Sequence, residues 1–515
     1  MRTKKSLINI IYNVIFSVIT IVLGFISRTI FLSIFGAEYL GLTQVVINLI
    51  SVISIMELGV AAAIGYALYQ HLSDENYRKI NELIKFIKIS YSIVGLAVLV
   101  IGIGLSFFVP NIVKTNNISL TIIYLTYFLQ LSVTVISYFL TYKQVLITAD
   151  QKSYIITKIS GTMKIIKTIL QIVSIIVWEN FIIWVALEVV FSLFIYILIN
   201  KTINKNYQWL NVKIEKTYKQ LIKENKSVLI NLKNIMYHRL ATVILQQTDS
   251  IIISLIINLR NVGIYSNYIM IYNQLLMLIG QVFYGFTASV GNLIAGKDDK
   301  HSYAIFKQLY VLEFFIGVCI SYTLYKTINP FISLWVGDEY LLNSSFVLIL
   351  ALNFFLSTTR QIINSFKSGY GIFNDIYAPV VEGFLNISIS IYLGNKFGLV
   401  GILFGTFSSL LIIIVFWQPY LVFKRGFKES IIKYVKQYIL QLSVGLVSIL
   451  IVEVISNLFS FKPSRSILEF GFYGIYILFS ICTVYFCSLL LVSDPFRRVV
   501  KRVFMMLKLK ISGDN

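Results

Sequence analysis

The sequence is poor in the residues on which most soluble folds depend. Three cysteines in 515 residues (Cys319, Cys482 and Cys487), all within apolar runs, exclude a disulfide framework. Six prolines and 28 glycines exclude a collagen-like or proline-rich chain. Charged residues make up 13% of the chain, about half of what soluble domains carry, which excludes a soluble multidomain enzyme and a disordered polymer alike. Histidine occurs only at 71, 238 and 301, so no metal-binding pair is present and no metal or cofactor is expected. What abounds is apolar: 57% of residues are hydrophobic and the mean hydropathy is +0.81. These values predict an all-α integral membrane protein.

Acidic residues are scarce as well, 23 against 44 basic, for a formal charge of +21. The basic residues cluster between apolar segments, where membrane topology explains them, and no nucleic-acid partner is expected. Apolar segments of bilayer-spanning length occur fourteen times: 7–35, 40–69, 86–109, 118–142, 154–177, 181–200, 228–257, 263–295, 303–336, 346–366, 374–394, 398–423, 436–456 and 467–492. The first follows Arg2, Lys4 and Lys5 like a secretory signal. It is too long, however, and has no small-residue cleavage site after Gly24, so it reads as an uncleaved span. With the N-terminus inside, 35 of the 44 basic residues fall on the cytoplasmic side and six outside. Arg28, Arg239 and Arg360 remain within spans. That asymmetry predicts both termini in the cytoplasm.

The chain also matches itself at an offset of about 222 residues. Phe35-Gly-Ala-Glu-Tyr-Leu-Gly41-Leu lies over Ile257-Asn-Leu-Arg-Asn-Val-Gly263-Ile, and Asn9 falls on Asn231. Six spans on either side of a basic stretch give repeats of the same orientation, hence a pseudo-twofold axis along the membrane normal. The expected organisation is an N-lobe at 1–200, a basic cytoplasmic linker at 201–227 and a C-lobe at 228–423. Two further spans occupy 436–492, and a basic cytoplasmic tail runs over 493–515.

Polar residues inside spans locate the interior. Asn9, Asn13, Ser17, Thr20, Gly24 and Arg28 form one helical stripe, and Asn231, Asn234, His238, Thr242, Gln246 and Asp249 form its counterpart in span seven. Further stripes contain Gly161, Lys164, Thr168 and Gln171, then Asn267, Gln274 and Gln281, then Asn353, Ser357, Arg360 and Asn364. Interhelical hydrogen bonding is the plain account of such stripes. The added Lys, Arg and Asp point instead to a wet central cavity with an excess of cations: Arg28, Lys164, Lys167, Arg239 and Arg360 against Asp249 and Glu57. Guanidinium groups in such a place match a phosphate-bearing cargo.

Other patterns carry little. Gly291 to Lys297 imitates a phosphate loop, but Asp298 stands where a hydroxyl residue should bind magnesium, and no strand precedes it. Asp298-Asp299 reads as a solvated pair, and Gly401 and Gly405 as internal packing. No catalytic constellation is found, so an enzyme is not expected. The tail 496–508 alternates basic and apolar patches at helical spacing, as in a helix lying on an anionic leaflet.

Several segments resemble the Wzx-type polysaccharide flippases of the multidrug/oligosaccharidyl-lipid/polysaccharide exporter superfamily. They are Arg28-Thr-Ile-Phe, Glu38-Tyr-Leu-Gly-Leu, Glu57-Leu-Gly, Tyr66-Ala-Leu-Tyr, Tyr207-Gln-Trp-Leu, Thr248-Asp-Ser-Ile-Ile-Ile-Ser254 and Val262-Gly-Ile-Tyr-Ser-Asn-Tyr268. The resemblance covers roughly 5–425 and implies an undecaprenyl-pyrophosphate-linked oligosaccharide, moved from the inner to the outer leaflet of the bacterial cytoplasmic membrane for capsule or related polymers. It implies as partners that lipid-linked substrate, membrane lipids, and the polymerase and glycosyltransferases of the same pathway. Related members move teichoic acid precursors or lipid II.

On this reading Arg28, Lys164, Arg239 and Arg360 hold the pyrophosphate or acidic sugars, and Asn13, Asn231, Gln246 and Gln274 hydrogen-bond the sugar. Asp249 and Glu57 are candidates for coupling to a proton or sodium ion. A multidrug/cation antiporter of the same fold is the rival, but it calls for an acidic, aromatic cavity. A membrane glycosyltransferase or polymerase calls for a large outside loop, and the longest here is about 457–466. A scaffold without transport leaves the polar stripes unexplained.

Overall fold

With no water in the bilayer core to satisfy backbone N–H and C=O groups, an apolar run of bilayer length must close its hydrogen bonds within itself, as a helix. The structure, a computed structural model, describes residues 2–54, 60–115, 117–213, 216–225, 243, 247–296, 298–372, 375, 377–459 and 466–512. Among these residues the fold is all helix, without a strand.

The first unit, Met1–Ser266, opens with α1, Arg2–Ile53. At 52 residues it is about 78 Å of helix against a hydrocarbon core of about 30 Å, so it cannot be one span. It breaks at Gly36, whose φ of 75° only glycine adopts without strain. The break separates the first two expected spans. There follow α2 (Val60–Ser73), α3 (Tyr77–Ser106), α4 (Leu120–Thr141), α5 (Tyr154–Trp178), α6 (Phe181–Asn206) and a shorter apolar helix, α7 (Gln247–Ile256). Side-chain caps set several starts: Asn76, Ser119 and Asn180 each accept a backbone N–H from the following turn. α5 packs along α1, and α6 covers α4 and α5.

The helix α8, Leu259–Ala295, begins in this unit and continues into the second, Asn267–Asn515. The second unit contains α9 (Asp299–Val336), α10 (Ser344–Thr358), α11 (Gln361–Gly369), α12 (Tyr377–Phe397) and α13 (Leu399–Leu410). Beyond α13 the helix widens into π-helical turns that carry it to Phe427, and α14 (Ile431–Phe459), α15 (Ile467–Val492) and α16 (Asp494–Ser512) follow. Asp298 is the N-cap of α9, its carboxylate accepting from His301 N at 2.9 Å, while Asp299 pairs with Lys428 at 2.9 Å. α12 and α13 pack most intimately. A Cβ on Gly401 would lie 2.0 Å from Leu393 O, and one on Gly405 2.1 Å from Ser390 Oγ. Both glycines therefore serve internal packing, as their spacing predicts.

Eleven helices among the described residues are long and apolar enough to cross a membrane, and the first of them includes both halves of α1. Their large apolar side chains point outward: Val100 and Phe479 are about 70% exposed. A soluble protein would not leave such surface bare, whereas a bilayer covers it. The chain is a multi-pass membrane protein.

Within the first unit the two segments that match at the offset of 222 residues meet. A Cβ on Gly41 would fall 2.1 Å from Leu259 O, and one on Gly263 would fall 1.9 Å from Ala37 O. Residues 37 and 259, like 41 and 263, are 222 apart, so the crossing is reciprocal between the matched segments. It explains why both positions are glycine, and why the opening turns of α8 belong with α1.

Candidate functional site

The polar stripe of α1 begins as a seam with α5. Asn9 Nδ2 donates to Gln151 O at 3.1 Å and Asn9 Oδ1 accepts from Tyr154 N at 2.7 Å. One turn on, Thr157 Oγ1 donates to Asn13 Oδ1 at 2.8 Å. A turn later the Phe16 ring lies where a Gly161 side chain would be, 2.4 Å from its ideal Cβ. Interhelical bonding thus accounts for Asn9, and it occupies the carbonyl of Asn13, an exposed residue also expected to meet sugar. Beyond the seam Lys164 is exposed, and its ammonium makes no ion pair or hydrogen bond among the described residues. Lys167 pairs with Glu188 at 2.6 Å, and buried Gln171 donates to Trp184 O at 3.0 Å.

At the other end of the stripe, Arg28 Nη1 donates to Ser266 Oγ at 2.9 Å, and Ser266 Oγ donates in turn to Gly263 O at 2.8 Å. Asp249 is buried and accepts from Tyr265 Oη at 3.2 Å. Arg28 and Asp249 are therefore positioned by successive residues of one helical turn, just past the Gly41–Gly263 crossing. Ser254 Oγ donates to Ile112 O at 2.7 Å and ties α7 to the chain after α3.

In the second unit Arg360 stands at the break between α10 and α11, its Nη1 3.4 Å from Glu382 Oε1 of α12. The carboxylate is 1% exposed and the arginine 28%, so the guanidinium keeps accessible donors. The break leaves N–H groups at the start of α11 without helical partners. Glu313, fully buried on α9, accepts one of them from Ile362 N at 2.8 Å. Ser357 shares a hydrogen bond with Tyr272 at 2.9 Å, and Asn353 Nδ2 donates to Leu403 O at 3.1 Å. Gln274 is half-buried, with its Oε1 covered and unpartnered among the described residues. Arg239, Asn231, Gln246 and Glu57 lie outside the described residues.

The expected excess of cations is smaller than the sequence count implies. Lys167 and Arg360 are each matched by a carboxylate on a neighbouring helix, Glu188 and Glu382, which reading span by span did not credit. Helical spacing assigns residues to faces but does not say which faces meet. Among the described residues no three His, Cys, Asp or Glu side chains gather as a metal site.

The described residues of the stretch expected to be a linker belong to the first unit and pack on its helices. Tyr207 Oη donates to Asp150 at 2.7 Å, burial and that carboxylate together pushing the phenol well up from its ordinary value. Trp209 packs on Tyr77, ring centroids 4.4 Å apart. Lys216 bridges Glu82 at 2.8 Å and Glu224 at 2.7 Å. Glu38 accepts from Thr115 and Asn117 at 3.1 and 2.8 Å. Many residues that carry the resemblance are therefore positioning groups: Glu38, Gly41, Tyr207, Trp209, Gly263, Tyr265 and Ser266.

No family model matches the chain, and no curated protein matches it in sequence. Solved structures do match. A lipid II flippase, MurJ in an inward closed conformation, superposes with a TM-score of 0.68 at 15% identity, over 95% of this chain and 100% of that one. The chain has that fold. An inward-facing multidrug resistance MATE family transporter of the MOP superfamily superposes with a TM-score of 0.55 at 13% identity, over 78% of this chain and 93% of its own. The flippase fold thus accounts for nearly the whole chain, whereas the multidrug transporter leaves about a fifth of it unmatched.

Proposed function

We propose that the chain is a flippase for a phosphate-bearing, lipid-linked oligosaccharide. It would carry an undecaprenyl-pyrophosphate-linked repeat unit from the inner to the outer leaflet of a bacterial cytoplasmic membrane, with both termini in the cytoplasm. The observation that carries this reading is the flippase fold extending over 95% of the chain. The cations of the stripes add to it, since Lys164 is exposed and Arg360 keeps free donors. In this reading lobes 1–200 and 228–423 alternate access to a central site. Arg28, Lys164, Arg239 and Arg360 hold phosphate, Asn13, Asn231, Gln246 and Gln274 meet sugar, and Asp249 with Glu57 couples transport to an ion. The lipid tail stays in the bilayer, so the path opens sideways between helices. The polymerase and glycosyltransferases of the same pathway are the proposed partners.

The same fold likeness favours a second reading, a flippase for lipid II or a teichoic acid precursor. One experiment tests both. Lipid-linked glycans are extracted from cells with and without the gene, and their accessibility to an external glycosidase is compared. Accumulation of undecaprenyl-linked repeat units shielded from the enzyme is the expected result, and mass spectrometry of the trapped lipid separates the two readings. Unchanged amount and sidedness of all these lipids overturns both.

A further inference from the structure

The C-terminal helix α16 is docked on the second unit at a defined place. Phe496 is buried, its ring centroid 5.8 Å from that of Phe315 on α9 and 5.3 Å from that of Phe486 on α15. From this clamp the helix runs beside the first turns of α9, leaving an open cavity of about 520 Å³ between them. α16 lines it with Arg498, Lys501, Arg502 and Met505, and α9 with His301, Ala304, Ile305 and Gln308. Each set has the spacing i, i+3, i+4, i+7, so the cavity is a groove between two facing helical stripes. One wall carries three cations. The other offers an imidazole and an amide, with the small Ala304 leaving room between them.

The charges of this groove are not spent on other described residues. Arg497, on another face of α16, is paired with Asp494. Among the described residues Arg498, Lys501 and Arg502 have no carboxylate partner. Three neighbouring like charges repel unless an anion sits among them. The lining says which kind of anion: Ala304, Ile305 and Met505 stand in the groove beside the cations, and Met505 is 49% exposed, so bare apolar surface adjoins the charges. A soluble anion has no use for that surface, whereas an amphiphile satisfies both parts. We propose that this groove is a specific binding site for the phosphate headgroup of an anionic phospholipid of the leaflet against which α16 lies. Arg498, Lys501 and Arg502 hold the phosphate, and the acyl chains run over Met505 and Ile305. The site is a stoichiometric one and differs from a tail merely attracted to a charged surface.

Native mass spectrometry of the full-length protein, released from phosphatidylcholine nanodiscs containing phosphatidylglycerol, tests this directly. Wild type should retain one phosphatidylglycerol through delipidation. R502Q should retain it several-fold less, and the R498Q/K501Q/R502Q protein at least about tenfold less, given the roughly fivefold that each basic residue contributes near a surface. A304F, which fills the groove without altering charge, should lose it too. R497Q, removing a charge outside the groove, should behave as wild type. Equal losses in R497Q and R502Q, or full retention in A304F with an unchanged unfolding temperature, would overturn the proposal. So would displacement of the lipid by glycerol 3-phosphate at equal concentration, since the occupant would then be a free phosphate. Residues 498 and 502 are exposed, so the fold of R502Q is not at issue.

Discussion

Arg360 and Glu382 form an ion pair with unequal burial: 3.4 Å apart, the carboxylate 1% exposed and the guanidinium 28%. Removing either partner therefore costs a different amount. Arg360→Ala strands a charge with no water to turn to, which costs about 3–5 kcal/mol in buried pairs. Glu382→Gln leaves a cation that reaches solvent, at about 1 kcal/mol or less. Thermal unfolding of the two variants in one detergent should give a clearly lower midpoint for Arg360→Ala. Equal midpoints would show that the pair is solvated alike on both sides.

Lys164 offers a cleaner probe of the transport path, because nothing described in the fold leans on it. Lys164→Gln should unfold at the wild-type temperature, yet flip the lipid-linked substrate more slowly in proteoliposomes. A transport rate equal to wild type removes Lys164 from the phosphate-binding set.

The glycines at the α1–α8 crossing face backbone rather than side chains, so nothing can rotate aside. Gly41→Ala and Gly263→Ala should each lose stability, by more than the roughly 1–3 kcal/mol of ordinary overpacking. Gly104→Ala in α3, where a Cβ meets nothing within 4 Å, should be neutral or slightly stabilising. Folded yield and unfolding temperature of the three variants check the contrast.

The linker should respond to pH at both extremes. The hydrogen bond from Lys216 holds the Glu224 carboxyl below its ordinary value of 4.5, and the same bond raises the Lys216 ammonium above 10.5. A lowered carboxyl contributes stability that is complete above its unfolded pKa and is lost as pH falls through the folded one. A raised ammonium contributes stability that is complete below its unfolded pKa and is lost as pH rises through the folded one. Amide protection over 207–225, taken relative to the intrinsic exchange rate at each pH, should therefore be highest at neutral pH and fall below about pH 4 and above about pH 11. Lys216→Gln should flatten both limbs. A wild-type profile that does not change across this range would show that the bridge does not hold the linker.

The sequence made the spans legible because length and hydrophobicity decide them locally. The helix expected at 154–177 is Tyr154–Trp178, and the one expected at 467–492 is Ile467–Val492. The pairing of faces was not legible. Asn9 reads as one rung of a wet stripe but clasps Gln151 and Tyr154, and Glu188, Glu313 and Glu382 belong to none of the stripes, although they answer Lys167, the start of α11 and Arg360. Such partners lie far apart in sequence or on separate helices, and periodicity within one helix carries no information about them. The match at 222 residues was legible as faint text, and the contact between its two segments appears only where Gly41 and Gly263 touch the opposite backbone.

That crossing also bears on ancestry. Each glycine makes room for the carbonyl four residues before its counterpart, so a chain with only one copy of the segment would form the same contact as a symmetric dimer, one glycine serving both sides. Duplication and fusion would then preserve the geometry without a single new contact having to be invented. A side chain gained at either position meets the carbonyl of the matched segment whatever stands at its counterpart, so each glycine is held in place separately.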